Sequence, residues 1–414
     1  MAYETVSSIP PHPTTPPPLP RRGPRRVRRR RRIGAVLGLL AGLAAAGMSA
    51  LPRPGIPPGD WQPASRSAAF GQVAGRYHAS PTHRFLMGDG YRDVWAADVR
   101  VPILDLDSVA GGLQPRRTSG GRQTRGLRLR GGDGREYVFR SLDKDQARAL
   151  GPLPRLLMGR IRQDQVSALH PGASLVAAGL QDAAGVLHPA PHLAVMPSLP
   201  RLGEFRADFG VLPGTLQEYP RRGFAGAERV VDTDSLWAEL RRAPGDRVDA
   251  RAYLVARLMD VYMGDWDRHE GQLRWARMRR GDEAAWIVIP RDRDYAFSHY
   301  GGVLPGLARR VDPKIVRFDT AYRDLHGLLV KSRELDRRLL CALPAAEWDA
   351  TAARLANALD DAAIAAAIQR MPREWIARSA SLESTLRARR DRLSAAARRF
   401  RQHLHANGGC EASR

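Results

Sequence analysis

Asp267 stands five residues before Gln272 in the stretch YMGDWDRHEGQLRW (262–275), and Asp292 and Asp294 close the apolar stretch WIVIPRDRDYAF (286–297). Phosphoryl transfer needs this set of groups. One carboxylate orients the attacking hydroxyl and takes its proton. An amide or carboxylate a few residues on holds a cation, and a separate Asp at a strand end chelates the same cation against nucleotide phosphates. On that reading Asp267 is the base, Gln272 a metal ligand, and Asp292 or Asp294 the chelating carboxylate. Asp292 follows the apolar run directly and is the first choice, with Asp294 left open.

A cation for the phosphates should sit near the end of an apolar strand. EYVFRSLDKD offers Arg140, at the strand position, and Lys144, four residues later. Lysine is rare here: the chain has only Lys144, Lys314 and Lys331. Guanidinium and ammonium both bind phosphate but are not equivalent, and the choice stays open. GGDG at 131–134 would serve as a phosphate-covering loop or as a plain hairpin turn.

Simpler roles account for several neighbours. Asp265 and Trp266 fit capping and packing of the loop, and Trp275 and Trp286 fit the core. HEGQL is not a zinc-protease helix, because position 273, where a second His belongs, is Leu. Asp292 and Asp294 by themselves would suit a solvated turn paired with Arg291 and Arg293. With Asp267 and Gln272 upstream they read as part of a site.

GDWDRHEGQ followed by IPRDRDYAF resembles the atypical protein-kinase-like group. That group includes the HipA toxin kinases, phosphatidylinositol kinases, CotH spore-coat kinases and Golgi secretory-pathway kinases. It is also similar to exported bacterial chains with GDWDRHxxQ and IPRDRDxAF motifs. The strong match spans about 40 residues and a looser one about residues 100–400. The resemblance implies an α+β, two-lobed protein-kinase-like fold with a β-rich N-lobe and a helical C-lobe. It implies ATP with Mg²⁺ or Mn²⁺ as cofactors and a protein or small-molecule hydroxyl as acceptor. Asp267 would be the catalytic base, with Arg268 and His269 shaping its loop by hydrogen bonds rather than binding metal. One departure stands out. No glutamate occurs between Glu136 and Glu204, so the usual Lys–Glu pair cannot form, and Asp164 is the substitute on offer.

The elements that must hold these residues follow from periodicity. GLRLRGGDGREYVFRSL alternates apolar and charged residues around an Asp-Gly turn, a hairpin signal. WAADVRVPILDL also reads as strand. Residues 160–186 read as helix interrupted at His170-Pro171, and 191–200 as a short strand and connector. After about residue 201 the pattern is mostly helical. In DARAYLVARLMDVYMGDW, residues Tyr253, Leu254, Leu258, Val261 and Tyr262 recur at helical spacing. The last 85 or so residues are amphipathic helices. The expected domains are a β-rich lobe at 76–200 and a helical lobe at 201–402, with a linker at 51–75 and a disordered tail at 403–414.

The N-terminus reads as targeting sequence. Residues 1–32 are a disordered, basic region in which nine arginines crowd RRGPRRVRRRRR, and 33–50 carry no charge. The pattern fits a signal peptide with a long basic region, or an anchor near the lower limit of about 20 residues for spanning a bilayer. Either sends the rest of the chain across the inner membrane, to the periplasm, to the medium or tethered by membrane contact through 33–50.

The formal charge is +23, but almost every cation is Arg, which reflects composition as much as partner choice. No RRM, helix-turn-helix or zinc-finger spacing accompanies it, so sequence-specific nucleic-acid binding is excluded. Cys341 and Cys410 are the only cysteines; in an exported chain they could pair, but the polar tail around Cys410 favours leaving it unpaired. Two rival functions remain: a metal-dependent glycosyltransferase using Asp292-x-Asp294, which would want parallel α/β units before the motif, and a non-catalytic envelope scaffold.

Overall fold

β-strand pairing organises the first half of the chain. The computed structural model describes residues 51–57, 59–120, 123–280, 283–406 and 410, so expectations for the segment at 33–50 lie outside the described residues. The fold is mixed α+β. β1 (Gln62–Pro63), β2 (Ala68–Gln72) and β3 (Asp98–Pro102) form a small antiparallel sheet. β4 (Leu113–Ser119), β5 (Gly126–Gly131), β6 (Glu136–Ser141), β7 (His192–Val195) and β8 (Pro213–Glu218) form a second sheet in the order β4-β5-β6-β8-β7. The expected hairpin is β5–β6, with Leu127 opposite Phe139 and Leu129 opposite Tyr137. Gly134, with φ +81°, turns the corner, a conformation open to glycine without Cβ strain.

The two-residue period sorts the faces of that hairpin. Leu127, Leu129 and Phe139 are buried in a core with Leu113, Ala194, Met196 and Leu216. Arg128, Val138 and Arg140 project from the opposite face, into a cavity.

Two expectations from sequence need correcting here. Residues 51–75 are not a linker: they contain β1 and β2 and bury Leu51, Ile56 and Trp61. The stretch after 201 is less helical than its pattern suggests, since it supplies β8 and a third sheet. PGTLQE (213–218) has no alternating pattern. It becomes a strand because β6 and β7 flank it and satisfy its backbone groups on both sides. The third sheet orders β9 (Arg229–Val231), β10 (Arg247–Val248), β11 (Leu273–Arg280) and β12 (Glu283–Pro290) as β10-β12-β11-β9. β12 is the expected apolar strand; β11 is its antiparallel partner, with Leu273 opposite Pro290.

The helix Ala250–Met263 is the centre of the largest core. Asp249 caps it by accepting from the Ala252 N–H at 2.8 Å, and Gly264 ends it at φ +69°. A Cβ at Gly264 would lie 2.8 Å from Phe318, so both backbone and packing require glycine. This helix is buried on nearly every side, including the charged Arg257 and Asp260. The helices Arg333–Leu340, Ala345–Ala358, Ala380–Asp391 and Leu393–His405 pack around it through Leu340, Trp348, Leu355, Leu386 and Phe400. Among the described residues no helix is long and apolar enough to cross a membrane.

Contrary to expectation, Cys410 is not free: it forms a disulfide with Cys341. The expected disordered tail begins too early as well, since helix continues to His405. The 69-residue separation gives the crosslink a typical stabilisation of about 2–4 kcal/mol, chiefly through the unfolded chain.

Candidate active site

Two chain segments meet beneath the five-stranded sheet, and buried charge holds them in register. The first runs from Gly264 to Gln272. Its Arg268 is wholly buried and donates to Asp260 (3.2 Å), Asp265 (2.9 Å), the Gln272 amide oxygen (3.1 Å) and the Arg291 carbonyl (2.7 Å). The second segment leaves β12. Its Arg293 is buried and donates to Gln181 (2.7 Å), Asp265 (3.2 Å) and Asp260. The Arg291 N–H donates to the Gln272 carbonyl at 3.0 Å. These contacts tie the Asp267 loop to the Asp292 segment side by side.

Electrostatics in that cluster run in two directions. Burial works to raise the Asp260 carboxyl, but Arg268, Arg293 and Arg257 outweigh it and hold it at about 2. Burial dominates at Asp265, whose carboxyl is raised despite Arg268 and Arg293. Arg257 completes the network by pairing with Asp336 at 2.8 Å, which also accepts from the Tyr253 hydroxyl at 2.8 Å.

Asp267 projects from this base to the wall of a cavity of about 1140 Å³. One carboxylate oxygen accepts from the Gln272 amide at 2.9 Å and the other pairs with Lys331. Gln272 thus spends its amide nitrogen on Asp267 and its oxygen on Arg268, bridging the two rather than presenting a free ligand atom. Lys331 is a site residue that sequence reasoning does not find. Its one signal is the same rarity that draws attention to Lys144. It lies 4.8 Å from the Trp266 ring, which stacks edge-on against Tyr295 at 4.7 Å.

Asp292 and Asp294 sit across from both candidate cations. Arg140 reaches Asp292 at 2.8 Å and Asp294 at 3.6 Å, and Lys144 reaches Asp294 at 3.0 Å. The either-or between Arg140 and Lys144 therefore dissolves, since both converge on one acidic pair. Burial works to raise the Asp292 carboxyl, but Arg140 and Lys144 overcome it and hold it at about 2. Asp292 has φ +62°, a left-handed conformation uncommon for a non-glycine residue and tolerated best by Asp and Asn. The bend lets Asp292 and Asp294 face the cavity while Arg293 enters the core.

One further site expectation is corrected. Asp164 does not substitute for a glutamate beside Lys144. It is buried against Arg92, at 2.7 and 2.9 Å, and His83, at 3.0 Å. Lys144 instead takes Asp294, with Gln163 donating to its carbonyl at 2.6 Å. His269 shapes the loop through its carbonyl, which accepts from Gln272 N–H at 2.9 Å. The residue is exposed, and its ring makes no hydrogen bond among the described residues.

A cage built wholly from protein ligands is not what this site offers: among the described residues no three His, Cys, Asp or Glu side chains are grouped to hold a metal. Asp292 and Asp294 nonetheless fit a magnesium-type ion, which takes one or two carboxylates and fills its shell with water and substrate phosphates. Asp292 is held ionised by its adjacent cations, the state in which a carboxylate binds metal.

No family model matches the chain, and no curated protein matches it. Among solved structures, the chain is similar to the proinflammatory kinase CtkA of Helicobacter pylori. The identity is 13% and the TM-score 0.36, covering 71% of this chain and 98% of that one. A likeness of that size does not by itself assign a family.

Proposed function

We propose that the chain is a phosphotransferase that uses ATP and a divalent metal to phosphorylate a hydroxyl of a protein or small molecule. The lobes would be kinase-like, with the β4–β8 sheet above and the helices around Ala250–Met263 below. The observation that carries the reading is the cavity itself, which Arg140, Lys144, Asp267, Gln272, Asp292 and Asp294 all line. Asp267 would accept the acceptor's proton as its oxygen attacks the terminal phosphorus and the bond to the departing ADP breaks. Gln272 would hold the carboxylate in the attacking orientation through its amide N–H. Arg140 and Lys144 would exchange their carboxylate partners for phosphate oxygens. A Mg²⁺ or Mn²⁺ ion on Asp292 and Asp294 would supply charge neutralisation for the phosphates.

Export across the inner membrane belongs to the same proposal. It draws on residues 33–50 and on the Cys341–Cys410 disulfide, since disulfides persist in oxidising compartments. The glycosyltransferase reading loses ground, because every pairing in the five-stranded sheet is antiparallel and the sheet of β12 has only the two-residue parallel pairing of β10 with β12. The scaffold reading draws on the ion pairs that close Asp267, Asp292 and Asp294.

ADP formation from ATP separates the two. The full chain with ATP and Mn²⁺ is expected to release ADP at a rate that collapses when EDTA replaces the metal. No turnover together with no metal-dependent ATP binding would favour the scaffold.

A further inference from the structure

Away from the acidic pair, the same cavity is lined by Arg128, Tyr219 and Arg291. These side chains come from separate places in the fold. Arg128 is on β5, Tyr219 follows β8, and Arg291 follows β12. Arg274, on β11, joins them by donating to the Tyr219 hydroxyl at 2.9 Å. The Arg128 guanidinium lies over the Tyr219 ring, 3.1 Å from its centroid, and that of Arg291 lies 4.9 Å from it.

Charge at this spot is not balanced by the described residues. Glu136 is the only carboxylate among them with an ion pair into the group, 3.8 Å from Arg128, and it is shared with Arg221 at 3.2 Å. Arg274 and Arg291 have no ion pair among the described residues. Arg128 Nε and one terminal nitrogen, together with Arg291 Nε, are sealed from solvent without a hydrogen-bond partner. A buried donor left unmade costs about 1–3 kcal/mol. The Arg128 and Arg291 guanidiniums, held in the cavity wall at that cost and without a matching carboxylate, lack an anion. Their neighbour behaves accordingly: burial works to raise the Tyr219 phenol, but Arg291, Arg128 and Arg274 outweigh it and bring it to about 7.

We infer that Arg128 and Arg291, beside Tyr219 in the cavity wall with Arg274 bound to its hydroxyl, form a metal-independent binding site for a phosphomonoester. A dianion suits two convergent guanidiniums, whose planar forks match phosphate oxygens. The cavity volume exceeds the roughly 300–1,000 Å³ of ordinary ligand pockets, leaving room for such a group beside the acidic pair. The inference goes beyond the proposed phosphotransfer and does not depend on it, because neither Asp267 nor the Asp292–Asp294 pair makes an ion pair with Arg128 or Arg291 among the described residues.

The test is calorimetric titration of the full chain in EDTA with inorganic phosphate and with glycerol 3-phosphate. A parallel arm uses phosphatidylcholine vesicles with and without phosphatidic acid. Wild type is expected to bind both soluble anions. Arg128→Gln and Arg291→Gln are each expected to weaken binding at least tenfold, with an unliganded melting transition as cooperative as wild type's. Tyr219→Phe is expected to bind at least as tightly as wild type, because the phenol no longer competes for the guanidiniums. Preference for glycerol 3-phosphate identifies a soluble ester. A stronger response to phosphatidic acid vesicles identifies a lipid headgroup. No phosphate binding by wild type, or binding unchanged in both arginine variants, overturns the site. Phosphate binding in EDTA without any metal-dependent response to ATP keeps this inference and removes the phosphotransfer reading; the reverse pattern does the opposite.

Discussion

Asp267→Asn is expected to lower phosphoryl transfer by about 10²- to 10⁴-fold, the usual contribution of a positioned general base. It should leave metal-dependent nucleotide binding within a few-fold of wild type. The amide cannot take the hydroxyl proton, yet it keeps the shape of the carboxylate. One oxygen still accepts from Lys331 or Gln272, and the Arg268 network beneath is untouched. Asp267 is not among the groups paired with Arg140 and Lys144, so the proposed phosphate and metal grip survives. Rate and affinity measured on the same preparation decide the matter. Equal losses in both would make Asp267 a binding or structural residue instead.

Asp260→Ala should have the largest effect on stability, about 3–5 kcal/mol, read from the urea midpoint. Asp260, Asp265 and Asp336 balance Arg257, Arg268 and Arg293 in one buried cluster. Removing one acid leaves a net buried positive charge, the costly way to break such a network. The pH dependence carries its own sign. The folded Asp260 carboxyl is depressed to about 2, so its contribution is full above about pH 4 and is lost as pH falls toward 2. Asp265 is raised and acts oppositely, being relieved when it takes up a proton. The alanine variant should therefore lose stability less steeply than wild type between about pH 4 and pH 2. A parallel pair of curves would mean that Asp260 is not the group titrating there.

The chemical groups are legible in the sequence sooner than their scaffold. Asp267, Gln272, Asp292 and Asp294 stand out because acids at fixed spacing beside an apolar strand are rare by chance. The β5–β6 hairpin stands out because alternation around Asp-Gly is a local signal. β8 has no such signal, since its strand character comes from neighbours far away in the chain. Lys331 and the Arg128–Tyr219–Arg291 group are hidden for the same reason: each is assembled from distant elements and has no spacing to read. Asp164 shows the converse error. It is a plausible charge in the right helix for Lys144, but Arg92, 72 residues earlier, claims it. Cys410 misleads because its polar surroundings give no sign of Cys341 across the fold.

In the proposed function Asp292 and Asp294 hold a divalent ion against a polyphosphate. The direct measurement is the melting temperature of the full chain with ATP, with and without Mn²⁺, for wild type and Asp292→Ala. Ligand at about 100 times its dissociation constant adds about 2.7 kcal/mol to stability. Wild type should therefore show a clear rise that needs both ATP and metal, and Asp292→Ala should lose the metal-dependent part. A wild-type rise of the same size in EDTA, or an undiminished metal-dependent rise in Asp292→Ala, would contradict it.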